Sequence, residues 1–181
     1  MLKTLSGLKI NLELAEKKDL PIIKQWENDV EFVGEFEPFD QMSLEDFEKQ
    51  YDGKGERQWY FIEKKDGAKV GYICQIKSKN CVGVGYTLAK EERGKGYGIE
   101  AVQMMVDYLF LHKNIGRVQA EIHPDNKASQ RVLEKAGFTL EGHIRKSFFC
   151  RGVFRNTAMY RILREEWKTP KILPLGYAGK R

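Results

Sequence analysis

A chain of 181 residues, 41% hydrophobic and 12% aromatic, holds enough apolar side chains for one substantial core, and splitting it would leave two small ones. Its formal charge of +5 comes from 31 basic residues interleaved with 26 acidic ones, without the block of five or six like charges that marks a nucleic-acid arm. No run approaches the roughly 18 apolar residues of a membrane span, and the start MLKTLSGLKINLELAEKKDL lacks an apolar signal-peptide core, so a cytoplasmic protein is expected.

The first periodic stretch, residues 9–14, alternates polar and apolar side chains and predicts a half-buried strand. Asp19 then reads as the cap of a helix with Pro21 in its first turn and Leu20, Ile23 and Trp26 or Glu27 at helical spacing. The acidic residues Glu27, Asp29, Glu31, Glu35, Glu37 and Asp40 read as a solvated loop. Ser43-Leu44-Glu45-Asp46 resembles a capping box and opens a second helix through Tyr51, ended by Asp52-Gly53-Lys54-Gly55.

Residues 59–63 and 69–76 predict a hairpin about the Asp66-Gly67 turn, and residues 82–89 a further strand. At Ile99 the period becomes helical, with Val102, Met105, Val106, Leu109 and Phe110 on one stripe and Gly116 as the stop. Residues 117–123 alternate as a strand. Asn126 or Asp125 opens another helix, closed past Ala136 by Gly137. Residues 138–144, 148–149 and 153–163 predict closing antiparallel strands around Cys150-Arg151-Gly152. The expected fold is a single α/β (α+β) domain over residues 1–167, a mixed, mostly antiparallel sheet with helices on both faces. Residues 168–181 are expected to form an irregular tail. Cys74, Cys81 and Cys150 are odd in number and show no Cys-x-x-Cys spacing, so buried, inert thiols and no metal site are expected.

Between the strand at 82–89 and the helix at 99–112 lies Glu92-Arg93-Gly94-Lys95-Gly96-Tyr97-Gly98. Alternate glycines let the backbone approach a ligand closely and turn successive N–H groups toward an anion, and a helix N-terminus adds unpaired N–H groups. Arg93 and Lys95 add side-chain charge at the same place. The stretch lacks the Gly-x-x-x-x-Gly-Lys-Ser/Thr pattern of a nucleotide P-loop and the Gly-x-Gly-x-x-Gly spacing of a dinucleotide site.

Arg93-Gly94-Lys95-Gly96-Tyr97-Gly98 resembles the motif of the GNAT N-acyltransferase superfamily that runs Gln or Arg, two free positions, Gly, one free position, Gly or Ala. The run Asn126 to Phe138, with Ser129, Val132, Glu134, Lys135 and Gly137 at fixed places, resembles that family's second signature. Gly85-Tyr86-Thr87-Leu88, Glu141-Gly142 and Asn156-Thr157-Ala158-Met159-Tyr160 resemble its Rim-type branch, which includes acetylases of ribosomal-protein N-termini and many small-molecule acetylases.

The resemblance implies a splayed strand pair forming a coenzyme A cleft and an acetyl-coenzyme A-dependent N-acetyltransferase acting by direct attack on the thioester. It implies cofactor contacts from Arg93, Gly94, Lys95, Gly96, Tyr97 and Gly98 to the pyrophosphate, from Asn126 to the cofactor's arm, and from the Leu88 backbone to the thioester oxygen. Ser129 is expected near the sulfur, because Leu133 stands where many members carry an acidic Tyr. The Glu that some Rim-type members use as base is Phe148 here, so Glu141, Glu121 or a water chain is the candidate base; His123, beside Pro124, is expected to serve a turn or stacking role. The acceptor is a primary amine, either a polyamine-like or amino-sugar molecule or a protein N-terminus. A homodimer is compatible, with neither a membrane nor a nucleic-acid partner expected. The other class to separate is a non-catalytic acyl-coenzyme A-binding module attached to ribosome or RNA.

Overall fold

The computed structural model describes residues 4–50 and 57–174. Among these, eight strands form one sheet in the order β1-β2-β3-β4-β5-β6-β8-β7. They are β1 (Thr4–Ser6), β2 (Ile10–Leu14), β3 (Arg57–Lys64), β4 (Lys69–Ser78), β5 (Cys81–Leu88), β6 (Arg117–Ile122), β7 (Thr139–Cys150) and β8 (Val153–Leu163). The helices are α1 (Leu20–Glu27), α2 (Val30–Val33), α3 (Leu44–Gln50), α4 (Tyr97–His112) and α5 (Lys127–Ala136). Every neighbouring pair is antiparallel except β5 and β6, which are parallel.

Each face of the sheet has its own core. On one, Ile10, Leu12, Tyr60, Ile62, Ile73, Val84, Val118 and Ala120 meet α4 and α5. On the other, Trp59, Phe61, Tyr72 and Cys74 meet Leu20, Ile23, Phe32 and Phe47 from α1 to α3. Central strand β3 therefore shows four consecutive buried residues, because both of its faces are covered. Burial pushes the Cys74 thiol up to about 11, which fits an inert cysteine. Cys81 is only half-buried, and Cys150 is engaged as described below.

Several local expectations change. Strand β1 carries one inward apolar side chain, Leu5, too little for a periodic signal. Asp19 does not cap α1 with its side chain; that carboxylate accepts from the Glu16 N–H at 2.9 Å and closes the short 3-10 turn before the helix. The acidic stretch contains α2, whose Asp29 cap accepts from the N–H groups of Glu31 and Phe32, so it is not simply a solvated loop. Ser43 does cap α3, accepting from Asp46 N–H at 3.1 Å. The expected end of α3 at Asp52 to Gly55 lies outside the described residues.

Helix α4 ends at Lys113, whose φ of −121° is extended, rather than at Gly116. The stop is tertiary. Arg164 donates from Nη1 to Phe110 O at 2.9 Å, a carbonyl of the helix's last turn, and from Nε to Ile115 O at 2.8 Å just beyond it. Gly137 closes α5 at a φ of 103°, as its position predicts.

The expected boundary at residue 167 also moves. The buried carboxylate of Asp107 accepts from Trp167 Nε1 at 3.0 Å, Ile172 N at 2.7 Å and Leu173 N at 3.0 Å, and from Lys171 N. Leu173 is thereby drawn into the main core. Asp107→Ala strands these donors and empties their acceptor, so we expect a stability loss of about 2–4 kcal/mol and a melting temperature lower by roughly 5–15 °C. A thermal melt with a shift under about 2 °C would show that the tail is held by something else.

Candidate active site

The site begins where a ladder stops. Parallel pairing of β5 with β6 runs only through Cys81–Arg117, Val82–Val118 and Gly83–Gln119. Beyond it β5 stays paired with β4 as far as Leu88, and β6 stays paired with β8 as far as Ile122. The sheet therefore opens between two strands that are each held from their outer side.

The register decides which backbone groups face the opening. Ala89 N donates to Val70 O at 2.9 Å, and paired residues of an antiparallel ladder alternate between bonded and non-bonded, so Leu88 and Tyr86 turn their N–H groups away from β4 toward the gap. Gly71 makes room for this end of β5. A Cβ there would lie 2.2 Å from Thr87 O, so no other residue fits.

The glycine loop closes the same end of the gap. Gly94 and Gly96 have φ of 79° and 88°, which an L side chain avoids, and Gly96 is the N-cap of α4. Unpaired N–H groups of the first turn of α4 therefore face this point. The loop's own charges are partly spent on the protein. Lys95 pairs with Glu92 at 2.8 Å and holds that carboxyl below the usual carboxylate range. Arg93 Nε donates to Leu88 O and Nη2 to Phe32 O, each at 2.9 Å. Arg93 thus ties the end of β5 to α2. An anion here would be held mainly by backbone.

Helix α5 starts across the gap. Asn126 Oδ1 accepts the Ser129 N–H at 3.0 Å, capping the helix, and the Ser129 hydroxyl sits 3.1 Å from Tyr86 OH. Burial pushes the Tyr86 phenol up to about 12, so it remains a proton-bearing group at neutral pH. Leu133 is fully buried in the main core and lies outside the gap's chemistry. The structure thus brings Leu88, the glycine loop, Asn126 and Ser129 to one opening, and adds Tyr86.

Glu141 is not brought there. It binds Arg117 at 2.7 Å and Arg161 at 3.4 Å, beside the first residue of β6, whereas the gap lies past its last paired residue with β5. The Arg117 guanidinium holds its carboxyl below the usual range, the opposite of what a base at neutral pH needs.

The carboxylates that the structure places near the gap are Glu37 and Glu121, the latter a base candidate of the sequence. Together with His123, Ser147, Phe148 and Thr157 they line a cavity of about 190 Å³ beyond the end of β6. Desolvation first, then the neighbouring Glu27 charge, pushes Glu37 up to about 7, and Glu37 in turn raises Tyr86. Glu37 as a residue is exposed, so solvent reaches it and softens that rise. Glu27 itself accepts a short hydrogen bond from Tyr72 OH, which accepts from Thr87 Oγ1 at 3.3 Å. His123 takes the turn and stacking role: Nδ1 accepts from Asp125 N–H at 3.1 Å, and the ring lies 5.2 Å from Phe36 and 6.0 Å from Phe148. No periodicity or motif singles out Glu37; the only sequence signal is the density of acidic residues around it.

A family model described as an acetyltransferase (GNAT) domain matches residues 9–139. A probable N-acetyltransferase of Bacillus subtilis (strain 168) is 44% identical over 80 residues, 44% of this chain and 44% of that protein. The chain spans about half the length of the first curated relatives it matches. Among solved structures, a spermidine N-acetyltransferase from Vibrio cholerae in complex with CoA and spermine gives a TM-score of 0.79 at 20% identity, covering 89% of this chain and 99% of that one. A ribosomal-protein-S5-alanine acetyltransferase from Vibrio fischeri gives 0.78 at 20% identity, covering 92% and 99%. At such identities the likeness is one of fold. No helix among the described residues is long and apolar enough to cross a membrane.

Gly96→Glu puts a side chain at a positive φ and a carboxylate where the pyrophosphate is expected. Calorimetric titration with coenzyme A is expected to show at least about a 100-fold weaker affinity while the circular dichroism spectrum is unchanged. Unchanged affinity would remove the loop from the site.

Proposed function

Because the chain belongs to the GNAT acetyltransferase family, we propose that it transfers an acetyl group from acetyl-coenzyme A to a cationic primary amine, with Glu37 as general base. The observation that carries this reading is the parting of β5 from β6, with the glycine loop and the Tyr86–Ser129 hydroxyl pair at its mouth and Glu37 lining the cavity beyond the end of β6. A carboxyl pushed up to about 7 is ionised often enough at neutral pH to take a proton and basic enough to keep it. Glu27, Glu37 and Glu121 also give the region the negative charge that draws in an ammonium. The acceptor is a polyamine-like or amino-sugar molecule or a protein N-terminus, and the two structural neighbours named above, one for spermidine and one for a ribosomal protein, support both as options on this fold.

The donor is held by the glycine loop from Arg93 to Gly98 at its pyrophosphate and by Asn126 and Ser129 along its arm. The Glu37 carboxylate takes one proton from the acceptor's ammonium. The freed lone pair attacks the thioester carbonyl carbon, a C–N bond forms, and the carbonyl oxygen becomes an oxyanion facing the Leu88 N–H. Collapse restores C=O and breaks the C–S bond. The departing thiolate takes a proton from Ser129, which recovers one from Tyr86, and the nitrogen's second proton returns to Tyr86 through water. The products are an amide, a free thiol and one proton on Glu37. Holding amine and thioester in attack geometry supplies much of the acceleration, on the order of 7–11 kcal/mol at its upper end. The Tyr86–Ser129 hydroxyl pair supports catalysis over the alternative of a non-catalytic acyl-coenzyme A-binding module, because it supplies the acid that Leu133 lacks.

Thiol release measured against polyamines, amino sugars and peptides tests the reading. The base must be ionised to act, so kcat/KM is expected to rise with pH along a limb with apparent pKa of about 7. Glu37→Gln is expected to remove that limb and lower kcat by roughly 10²–10⁴-fold. Coenzyme A binding without thiol release on any acceptor would favour the binding module instead.

A further inference from the structure

Glu37 lies in the segment between α2 and α3, which has neither strand nor helix to hold it. Three hydrogen bonds reach that segment from the turn joining β7 to β8. Arg151 donates from Nε to Glu35 O at 3.1 Å and from Nη2 to Gly34 O at 3.3 Å. Cys150, a buried thiol, donates from Sγ to Glu37 O at 3.3 Å. The donors are consecutive residues and the acceptors fall within four, so the turn grips the loop as a fork.

The turn is shaped for that grip. Arg151 has a φ of 50° and Gly152 one of 81°, and a non-glycine residue at positive φ is uncommon unless surrounding contacts hold it there. Gly34, the first carbonyl held, is itself at a φ of 86°. From the other side Arg93 holds Phe32 O, so the loop is fixed by the glycine loop before Gly34 and by the β7–β8 turn after it.

We propose that the Cys150–Arg151 turn is the positioning element of the catalytic base: Arg151 and Cys150 hold residues 34–37 so that the Glu37 carboxyl stays in the cleft beside Tyr86. The proposal rests on Glu37 being the base. The charged and titratable groups around Glu37 are Glu27 from α1 and Tyr86 from β5, which it meets through charge, and Glu121 and His123 from the end of β6, which line the same cavity. Arg151 acts through geometry, because its guanidinium is bound to backbone carbonyls and its removal frees the loop to carry Glu37 into water.

The test uses Arg151→Ala and the conservative Arg151→Lys, which keeps the charge and loses the fork. Folding is checked by circular dichroism and a thermal melt, and the Lys variant carries the test should the Ala variant fail to fold. Two readouts are taken: the titration of the Glu37 carboxyl by carbon-13 NMR, its resonance assigned with Glu37→Gln, and the pH dependence of thiol release. In the folded variants the Glu37 titration is expected to fall from about 7 toward the ordinary 4.5, with kcat lower by on the order of 100-fold and coenzyme A affinity unchanged. Glu37 still titrating at about 7 with wild-type kcat would overturn the positioning role. A titration that falls while the kinetic limb stays in place would leave the grip standing and overturn Glu37 as the base.

Discussion

The parting of β5 from β6 after Gly83 and Gln119 is the constraint on which the rest of the molecule depends. The end of β5 past Val84 is only half-buried, so water can reach the backbone groups that lack a partner, and the parting persists because β4 and β8 hold the two strands from their outer sides. Tyr86 and Leu88 consequently present N–H groups to a gap rather than to a neighbour. The main helices answer to the same opening, since the N-termini of α4 and α5 both sit at its mouth with their positive dipole ends turned toward it.

Hydrogen bonds of single arginines couple this rigid opening to the irregular segments around it. Arg93 joins Leu88 O to Phe32 O, so the end of β5 and the helix α2 that leads into the Glu37 loop share one side chain. Arg164 finishes α4, and the Asp107 carboxylate ties the chain after Trp167 to that helix. These contacts leave the sheet to provide shape and give the loops their chemistry. The glycine loop and the unpaired end of β5 offer mainly backbone groups, whereas the loop after α2 offers side chains and is held in place by other residues.

That division explains what could be read from the amino-acid order. The meeting of Leu88 and Ser129 at one opening is set by the fold, whereas glycines at positive φ and an Asn at a helix cap are local properties, so the turn at Gly94 and Gly96 and the start of α5 at Asn126 were legible in advance. Mixed sheet topology and the ends of α5 were legible for the same reason. Helix α2, the true stop of α4 and the docking of Leu173 were not, because each is set by a partner far along the chain: Asp29 within a charged run, Arg164 for α4, Asp107 for the tail. Glu141 stood out by its place in a motif, yet the fold pairs it with Arg117 and Arg161; Glu37 had no pattern, and only its place in the cavity with Glu121 and His123 sets it apart.

The central claim is that the unpaired end of β5 is the donor's binding surface. Amide hydrogen exchange resolved to single residues, with and without acetyl-coenzyme A, tests it most directly. The amides of Tyr86 and Leu88 are expected to exchange readily in the free protein and to become protected with the ligand, as are those of Gly94 and Gly96, while Val82, already within the ladder, changes little. Ligand-induced protection confined to other segments, with Tyr86 and Leu88 unaffected, would contradict it.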